Sequence, residues 1–409
     1  MTTKPRSAHK WEFAPRFRRN AFGWRSDLPI QRIKEALSEI RQVARKGPVL
    51  AAEGAILLLE KLSPALMEVD SSSGALGNAV NRAIETLVPI IAKADVDPQT
   101  RQRWLKRLWQ ALQDDEMPYI EWLGDFWGEL CVTPTLASAW ADEFLPVVQR
   151  IWSDRESGYG YFKGTSACLS ALYAAGRYDE LLGLLEEARF KWWLERRWGV
   201  RALLAQGKKK DALSYAEASR GLNAPDGHIS AMCEDILLSS GLAEEAYRRY
   251  AIEANQGTTH LATFRAIVKK YPHKAPTEIL HDLVSSQPGN EGKWFAAAKD
   301  AGLYDAAIDL VSRSPTDPRT LIRAARDYAQ TQPEFAIASG KAALHWIGRG
   351  HGYEILGVDV LNAYQGIMDA ARFARMDEQQ VKQDLLQLIE HSTHQQKFLH
   401  GILDLHLKA

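Results

Sequence analysis

The 409-residue chain reads as an all-α protein, an α-solenoid of stacked helical hairpins. Three observations carry that reading. Apolar residues recur at steps of three and four through almost every segment after residue 27, a spacing that lays one apolar stripe along a helix. Period-two alternation of β-branched residues between Asn-Gly or Asp-Gly turns, the mark of β-hairpins, is essentially absent. A short glycine-led turn also recurs through the second half of the chain, so that helix pairs repeat.

The elements run in order from the N-terminus. Residues 1–27 form an arm that precedes the first helix. Ile30, Ile33, Leu37, Ile40 and Ala44 then make one stripe, ended by Gly47-Pro48, where Gly accepts a left-handed cap and Pro cannot continue a helix. A second helix spans about 49–62 and stops at Ser63-Pro64. Asp70-Ser71-Ser72-Ser73-Gly74 offers caps for a third over about 74–93. Asp97-Pro98 and Thr133-Pro134 pair a cap with a first-turn proline, whose missing N–H costs nothing there. They open helices over 98–113 and 134–152, with another over 118–131 between them. This helical region runs 28–153, and the Gly/Tyr-rich loop 154–163 separates it from a region of repeats.

From about residue 164 four turns align, led by Gly176, Gly207, Gly241 and Gly302, at spacings of 31, 34 and 61 residues. The last is about two periods. A missing turn is therefore expected near 272, where Tyr271-Pro272-His273-Lys274 interrupts the helical pattern, and one period past Gly302 lies Thr331-Gln332-Pro333. About six helix-turn-helix units fill 164–346. In the four glycine-led units, Gly caps the first helix and the small-residue place five positions on (Ala212, Ala246 and Ala307, with Leu181 in that place after Gly176) lets the second pack against it. A single pair cannot bury its apolar faces, so neighbours stack. The break Gly348-Arg-Gly350-His-Gly352 precedes a cap of about three helices over 353–409.

The Gly302-x-Tyr304-x-x-Ala307 form, matched by Gly176 and Tyr178, resembles the inter-helix turn of tetratricopeptide repeats (TPR) over about 45% of the chain. That resemblance implies hairpin stacking and carries over no peptide-clamp residue. The longer pairs of 28–153 look HEAT-like. The stretches Ala21–Ser26, Gly164–Tyr173 and Glu291–Tyr304 resemble an uncharacterised, mainly proteobacterial family of all-helical proteins with degenerate TPR-like repeats. This likeness implies a bacterial cytoplasmic protein and brings no activity with it.

Lys+Arg and Asp+Glu balance at 51 each, yet residues 1–46 carry twelve cations against four acids, leaving +8 there and −8 on the rest. The arm mixes Lys10, Arg16, Arg18, Arg19 and Arg25 with Trp11, Phe13, Phe17, Phe22 and Trp24. Such a mixture binds nucleic acid when cations meet phosphates and rings stack on bases. Five aromatics are also too many to leave in water, so packing onto the first helices and the acidic body is the plainer expectation. An acidic protein partner is a third.

A second basic-aromatic cluster comprises Arg189, Phe190, Lys191, Trp192, Trp193, Arg196, Arg197, Trp198 and Arg201. On a helix from about 191, Leu194, Trp198, Ala202 and Ala205 share a face toward the core, while Arg196 and Arg197 point outward. Arg201 lies at the stripe's edge and must snorkel or find an acid. Trp192 and Trp193 diverge, which places one outside the main core. Trp104, Trp109, Trp122, Trp127, Trp140 and Trp152 are read as packing residues.

Enzyme and metal motifs fail on inspection. Gly289-Asn-Glu-Gly292-Lys293-Trp294 lacks the first glycine of a phosphate loop, since position 287 is Gln, and has Trp294 where a hydroxyl must bind Mg²⁺. Gly348, Gly350 and Gly352 follow a helix instead of a strand. Cys168 reads as a buried structural thiol, and Cys131, Cys168 and Cys233 form no disulfide framework. His391, His394, His400 and His406 crowd the C-terminus without companion ligands. Asp114-Asp115-Glu116 reads as a solvated turn. No catalytic, cofactor or metal residue is assigned. The expected function is a non-enzymatic binding or scaffold protein that holds a protein partner in its groove, with nucleic-acid binding through the arm as the alternative. No apolar run spans a bilayer. The residues offered for partner or nucleic-acid contact are Arg16, Arg18, Arg19, Trp24, Arg25, Trp192, Trp193, Arg196, Arg197 and Arg201.

Overall fold

The computed structural model describes residues 9–153, 160–188, 192–221, 226–389 and 394–408. All regular structure among them is helical, and the helices pack in neighbouring pairs. No helix among the described residues is long and apolar enough to cross a membrane. The chain divides into two compact units, 1–225 and 226–409, and the division falls inside the repeat region 164–346.

The first unit contains α1 (Asp27–Ala44), α2 (Pro48–Leu66), α3 (Ala75–Ala92), α4 (Pro98–Gln113), α5 (Trp127–Cys131), α6 (Pro134–Ser153), α7 (Thr165–Ala174), α8 (Tyr178–Glu187), α9 (Trp193–Ala205) and α10 (Lys209–Glu217). Asp97 caps α4 as expected, its carboxylate accepting from the Thr100 N–H at 2.9 Å. Arg101, buried in α4, donates to the carbonyls of Ile91 (2.6 Å), Ala92 (3.2 Å) and Ala94 (2.6 Å), so one guanidinium serves the orphan acceptors at the end of α3.

Two expectations for this unit need correction. α2 runs through Ser63-Pro64 to Leu66. The proline sits in the last turn, where little ladder is left to break, and buried Ser63, Ala65 and Leu66 hold the turn in place. The continuous helix expected over 118–131 is instead a 3₁₀ segment (Glu121–Phe126) followed by the short α5. Asp115, ahead of it, is buried, not solvated, and its carboxylate accepts from the N–H groups of Tyr119 (3.3 Å) and Ile120 (2.8 Å), holding the turn that leads into the 3₁₀ segment.

The second unit contains α11 (Asp226–Leu238), α12 (Ala243–Ala254), α13 (His260–Lys270), α14 (Pro276–Ser285), α15 (Phe295–Asp300) after a 3₁₀ turn (Glu291–Trp294), α16 (Tyr304–Arg313), α17 (Pro318–Asp327), α18 (Pro333–Gly348), α19 (Gly357–Phe373), α20 (Glu378–Ile389) and α21 (His394–Lys408). From α7 to α18 the helices make six consecutive pairs.

The glycine-led turns share one geometry. Gly176, Gly207, Gly241 and Gly302 have φ of +74°, +77°, +76° and +72°, a region closed to most side chains. In each turn the glycine N–H reaches back three residues and the next N–H reaches back five, as in Arg177 N to Leu172 O at 3.0 Å and Leu303 N to Ala298 O at 2.9 Å. Leu181, Ala212, Ala246 and Ala307 are fully buried. Arg375 makes the same pair of bonds at φ +54° without being glycine, at a cost of about 1 kcal/mol.

Near 272 the chain does turn, but by a different device. Tyr271 ends α13 without a left-handed residue, and its hydroxyl donates to the fully buried Glu234 at 2.6 Å. Glu234 also accepts from Lys270 Nζ (2.6 Å) and Asn255 Nδ2 (2.8 Å), which ties α11, α12 and α13 together.

Candidate functional site

The arm packs. Trp11, Phe13, Phe17 and Phe22 are buried and form a chain of ring contacts at 5.4, 6.4 and 5.5 Å. Trp11 lies flat on Gly54 of α2, where even a Cβ would stand 2.2 Å from the indole. The Glu39 carboxylate accepts from the N–H groups of Glu12 (2.8 Å) and Phe13 (3.1 Å), and Asn20 N–H donates to Pro64 O at 2.9 Å. The arm's cations stay outside. Arg16 pairs with Glu35 (2.8 Å), Arg19 with Glu116 (3.6 Å) and Arg25 with Asp27 (3.3 Å), while Arg18 is exposed with no ion pair among the described residues. Trp24, 73% exposed, is the one Trp or Phe of the arm left in water among the described residues.

The second cluster is arranged the other way. Arg189, Phe190 and Lys191 lie outside the described residues, as do His391 and the His394 side chain. Trp193 is buried and Trp192 is 40% exposed. Arg196 and Arg197 do not point outward. The Arg196 side chain is 6% exposed, lies 3.9 Å over the Tyr215 ring and donates to Ser219 Oγ at 2.9 Å. Arg197 is ion-paired with Asp125 and donates to Leu194 O at 2.9 Å. The face expected to be buried is only half so: Trp198 and Ala202 are inside, Leu194 and Ala205 outside. α9 is packed by α8 and α7 on one side and α10 on the other, so it buries residues nearly all round.

Arg197, Trp198 and Arg201 open into a recess of about 400 Å³. The other walls are Trp122, Asp125 and Phe126 of the 3₁₀ segment, Gly128 and Glu129 of α5, and Ser170, Tyr173 and Ala174 of α7. α5, α7 and α9 are the first helices of three successive pairs, so the recess lies on a face that these helices share. The Ser170 hydroxyl locks its floor by donating to Asp125 O at 2.8 Å and accepting from Gly128 N–H at 3.0 Å. Trp122 meets Phe126 edge-on at 5.4 Å, and Tyr173 meets Trp198 at 5.6 Å.

Its electrostatics are unbalanced at two points. The Arg201 guanidinium is half-buried, 4.7 Å over the Trp198 ring, and makes no hydrogen bond or ion pair among the described residues. Burial, and then the nearby Arg197 charge, hold its pKa below the usual arginine value. The Asp125 side chain is 8% exposed; one oxygen meets Arg197, and Oδ1 is buried without a partner. Sequence reasoning found Arg197 and Arg201 but missed Trp122, Asp125, Phe126 and Tyr173. Asp125 and Arg197 are 72 residues apart, and no local pattern joins them.

The thiols are inert by placement. Cys131, Cys168 and Cys233 are buried, and burial pushes the Cys168 and Cys131 thiols up to about 12. No group of His, Cys, Asp and Glu among the described residues is arranged to hold a metal ion.

No family model and no curated protein matches the chain. Among solved structures it is similar to a "Circular tandem repeat protein with novel repeat topology and enhanced subunit contact surfaces", at 14% identity and a TM-score of 0.20, over 94% of this chain and 92% of that one. A likeness at that TM-score fixes neither shape nor function.

Proposed function

We propose that the protein is a non-enzymatic binding or scaffold protein that holds a segment of a protein partner on the face shared by α5, α7 and α9. One observation carries this reading. Three successive first helices wall an aromatic recess, and Leu194, 54% exposed, stands one turn before Trp198 on α9, the mix of apolar anchor and ready-made pocket that partner side chains use. Helix pairs stacked in this way present extended faces of this kind and need no catalytic chemistry. The nucleic-acid reading loses its stacking platform, because four of the arm's five rings lie in the core.

The test is a photo-crosslinker placed at Leu194, with one at Arg18 on the arm as control. The expected result in native lysate is a defined protein segment joined to position 194, unaffected by nuclease and absent at position 18. An adduct at 18 that nuclease removes would overturn the proposal in favour of nucleic acid.

A further inference from the structure

The recess between α5, α7 and α9 has unmet chemistry of its own. Arg201 offers up to five N–H donors in a half-dry, aromatic setting and uses none of them on the described residues. Asp125, deeper in the wall, has a carboxylate oxygen with nothing to accept from. The enclosed Asp125 oxygen is costly to leave so. They line one recess and sense each other, since the Asp125 charge favours the charged form of Arg201, yet no hydrogen bond or ion pair joins them. A gap separates two complementary groups.

The charge count narrows what bridges it. The recess is lined by Arg197 and Arg201 and by Asp125 and Glu129, so it is neutral as a whole. A simple carboxylate would satisfy Arg201 and leave Asp125 unmet. A phosphate ester would bring two charges toward Asp125 and Glu129. An amine alone would leave Arg201 unmet and add a third cation. A zwitterion meets both groups and preserves neutrality. The rings of Trp122, Phe126, Tyr173 and Trp198 then ask for an apolar body of modest size, and about 400 Å³ lies in the range of small-molecule sites.

We propose that this recess binds a free α-amino acid with a large apolar or aromatic side chain. Its carboxylate meets Arg201, its ammonium meets the Asp125 carboxylate once that side chain turns its enclosed Oδ1 toward the recess, and its side chain lies among Trp122, Phe126 and Tyr173. Arg197 acts as a positioning residue by holding Asp125. The inference goes beyond the partner-binding reading and stands whether or not a protein segment crosses this face.

The experiment is calorimetric titration of the full chain with L-phenylalanine, L-leucine and L-tryptophan. N-acetyl-L-phenylalanine, which keeps only the carboxylate, and L-phenylalaninamide, which keeps only the ammonium, serve as single-charge probes. At least one zwitterion is expected to bind, with both single-charge probes at least about ten-fold weaker, the loss of one charge-assisted contact. Arg201→Met should weaken the zwitterion by a similar factor. Because Arg201 makes no hydrogen bond or ion pair among the described residues and Met keeps the packing on Trp198, that variant should melt within a few degrees of the parent. Asp125→Asn releases Arg197 as well, so Arg201→Met is the deciding variant.

Equal binding of N-acetyl-L-phenylalanine would overturn the proposal in favour of a carboxylate site, and equal binding of L-phenylalaninamide in favour of an amine site. No heat from any of the three amino acids at about 10 mM, or undiminished binding by Arg201→Met, would also overturn it. None of these failures touches the crosslink expected at Leu194.

Discussion

The arm and the start of α9 are alike in pattern, Arg interleaved with large aromatics, and the fold treats them oppositely. In the arm the rings go in and the cations stay out. In α9, Arg196 and Arg197 go in along with Trp193 and Trp198, while Leu194 and the preceding Trp192 remain partly in water. The difference lies in how many neighbours each segment has. The arm lies over α1 and α2 with solvent beyond, so its long cations can always turn away. α9 is packed between α7 and α8 on one side and α10 on the other, which leaves it little outward face. A basic-aromatic cluster is thus a surface feature in an outer segment and an interior one within a stack.

That contrast can be broken by measurement, and the largest effect should come from the arm's rings. Phe17→Ala is expected to destabilise the first unit by about 3–5 kcal/mol in urea denaturation, as for other fully buried aromatics. If the loss were below 1 kcal/mol, roughly that of a surface change, the arm would not be part of the core.

Next comes the buried cation of α9. Arg196→Ala removes a guanidinium packed on Tyr215 and bonded to Ser219, and should cost about 2 kcal/mol. Arg196→Met, which keeps the packing, should recover part of this.

A smaller effect is a pH signature that separates the two regions. Burial pushes the Glu195 carboxyl in α9 up to about 7 from an ordinary 4.5. The folded state therefore holds that proton more tightly than the unfolded one. The associated stability is complete below about pH 4.5 and is lost as the pH rises toward 7. Glu35, which binds the arm, moves the opposite way: its hydrogen bond from Arg32 lowers its pKa, so its contribution is present above the unfolded value and fades as the pH falls through the folded one. Glu195→Gln should flatten the decline between pH 4.5 and 7 in thermal melts and leave the acid limb unchanged.

The smallest effect belongs to the arm's cations. Arg18→Ala and Arg25→Ala should leave the denaturation midpoint unchanged, since exposed ion pairs contribute little. A clear loss would mean that the arm is held by charge as well as by its rings.

What could be read in the chain was whatever is settled within a few residues. The turns at Gly176, Gly207, Gly241 and Gly302 need only a left-handed residue and two backward hydrogen bonds, all inside seven positions. The cap at Asp97 is equally local. Ser63-Pro64 misled because packing of the last turn outweighed the local stop, and Asp115 misled because a buried acid can organise a loop from within. The recess was the least legible part. Its walls come from the 3₁₀ segment near 122, from α5 and α7, and from α9 near 198. Nothing in the spacing of Asp125 and Arg197 announces that one will hold the other.

The turn shared inside the helix pairs has a consequence for how such a chain can change length. Because each Gly-led turn leaves one helix and enters the next with one set of angles, the two helices of a pair meet in the same way wherever that turn occurs. Whole pairs are not free to come and go in the same way, since bonds such as Arg197 to Asp125 and Tyr271 to Glu234 tie particular pairs to what precedes them. A pair excised there would strand a buried partner on its neighbour.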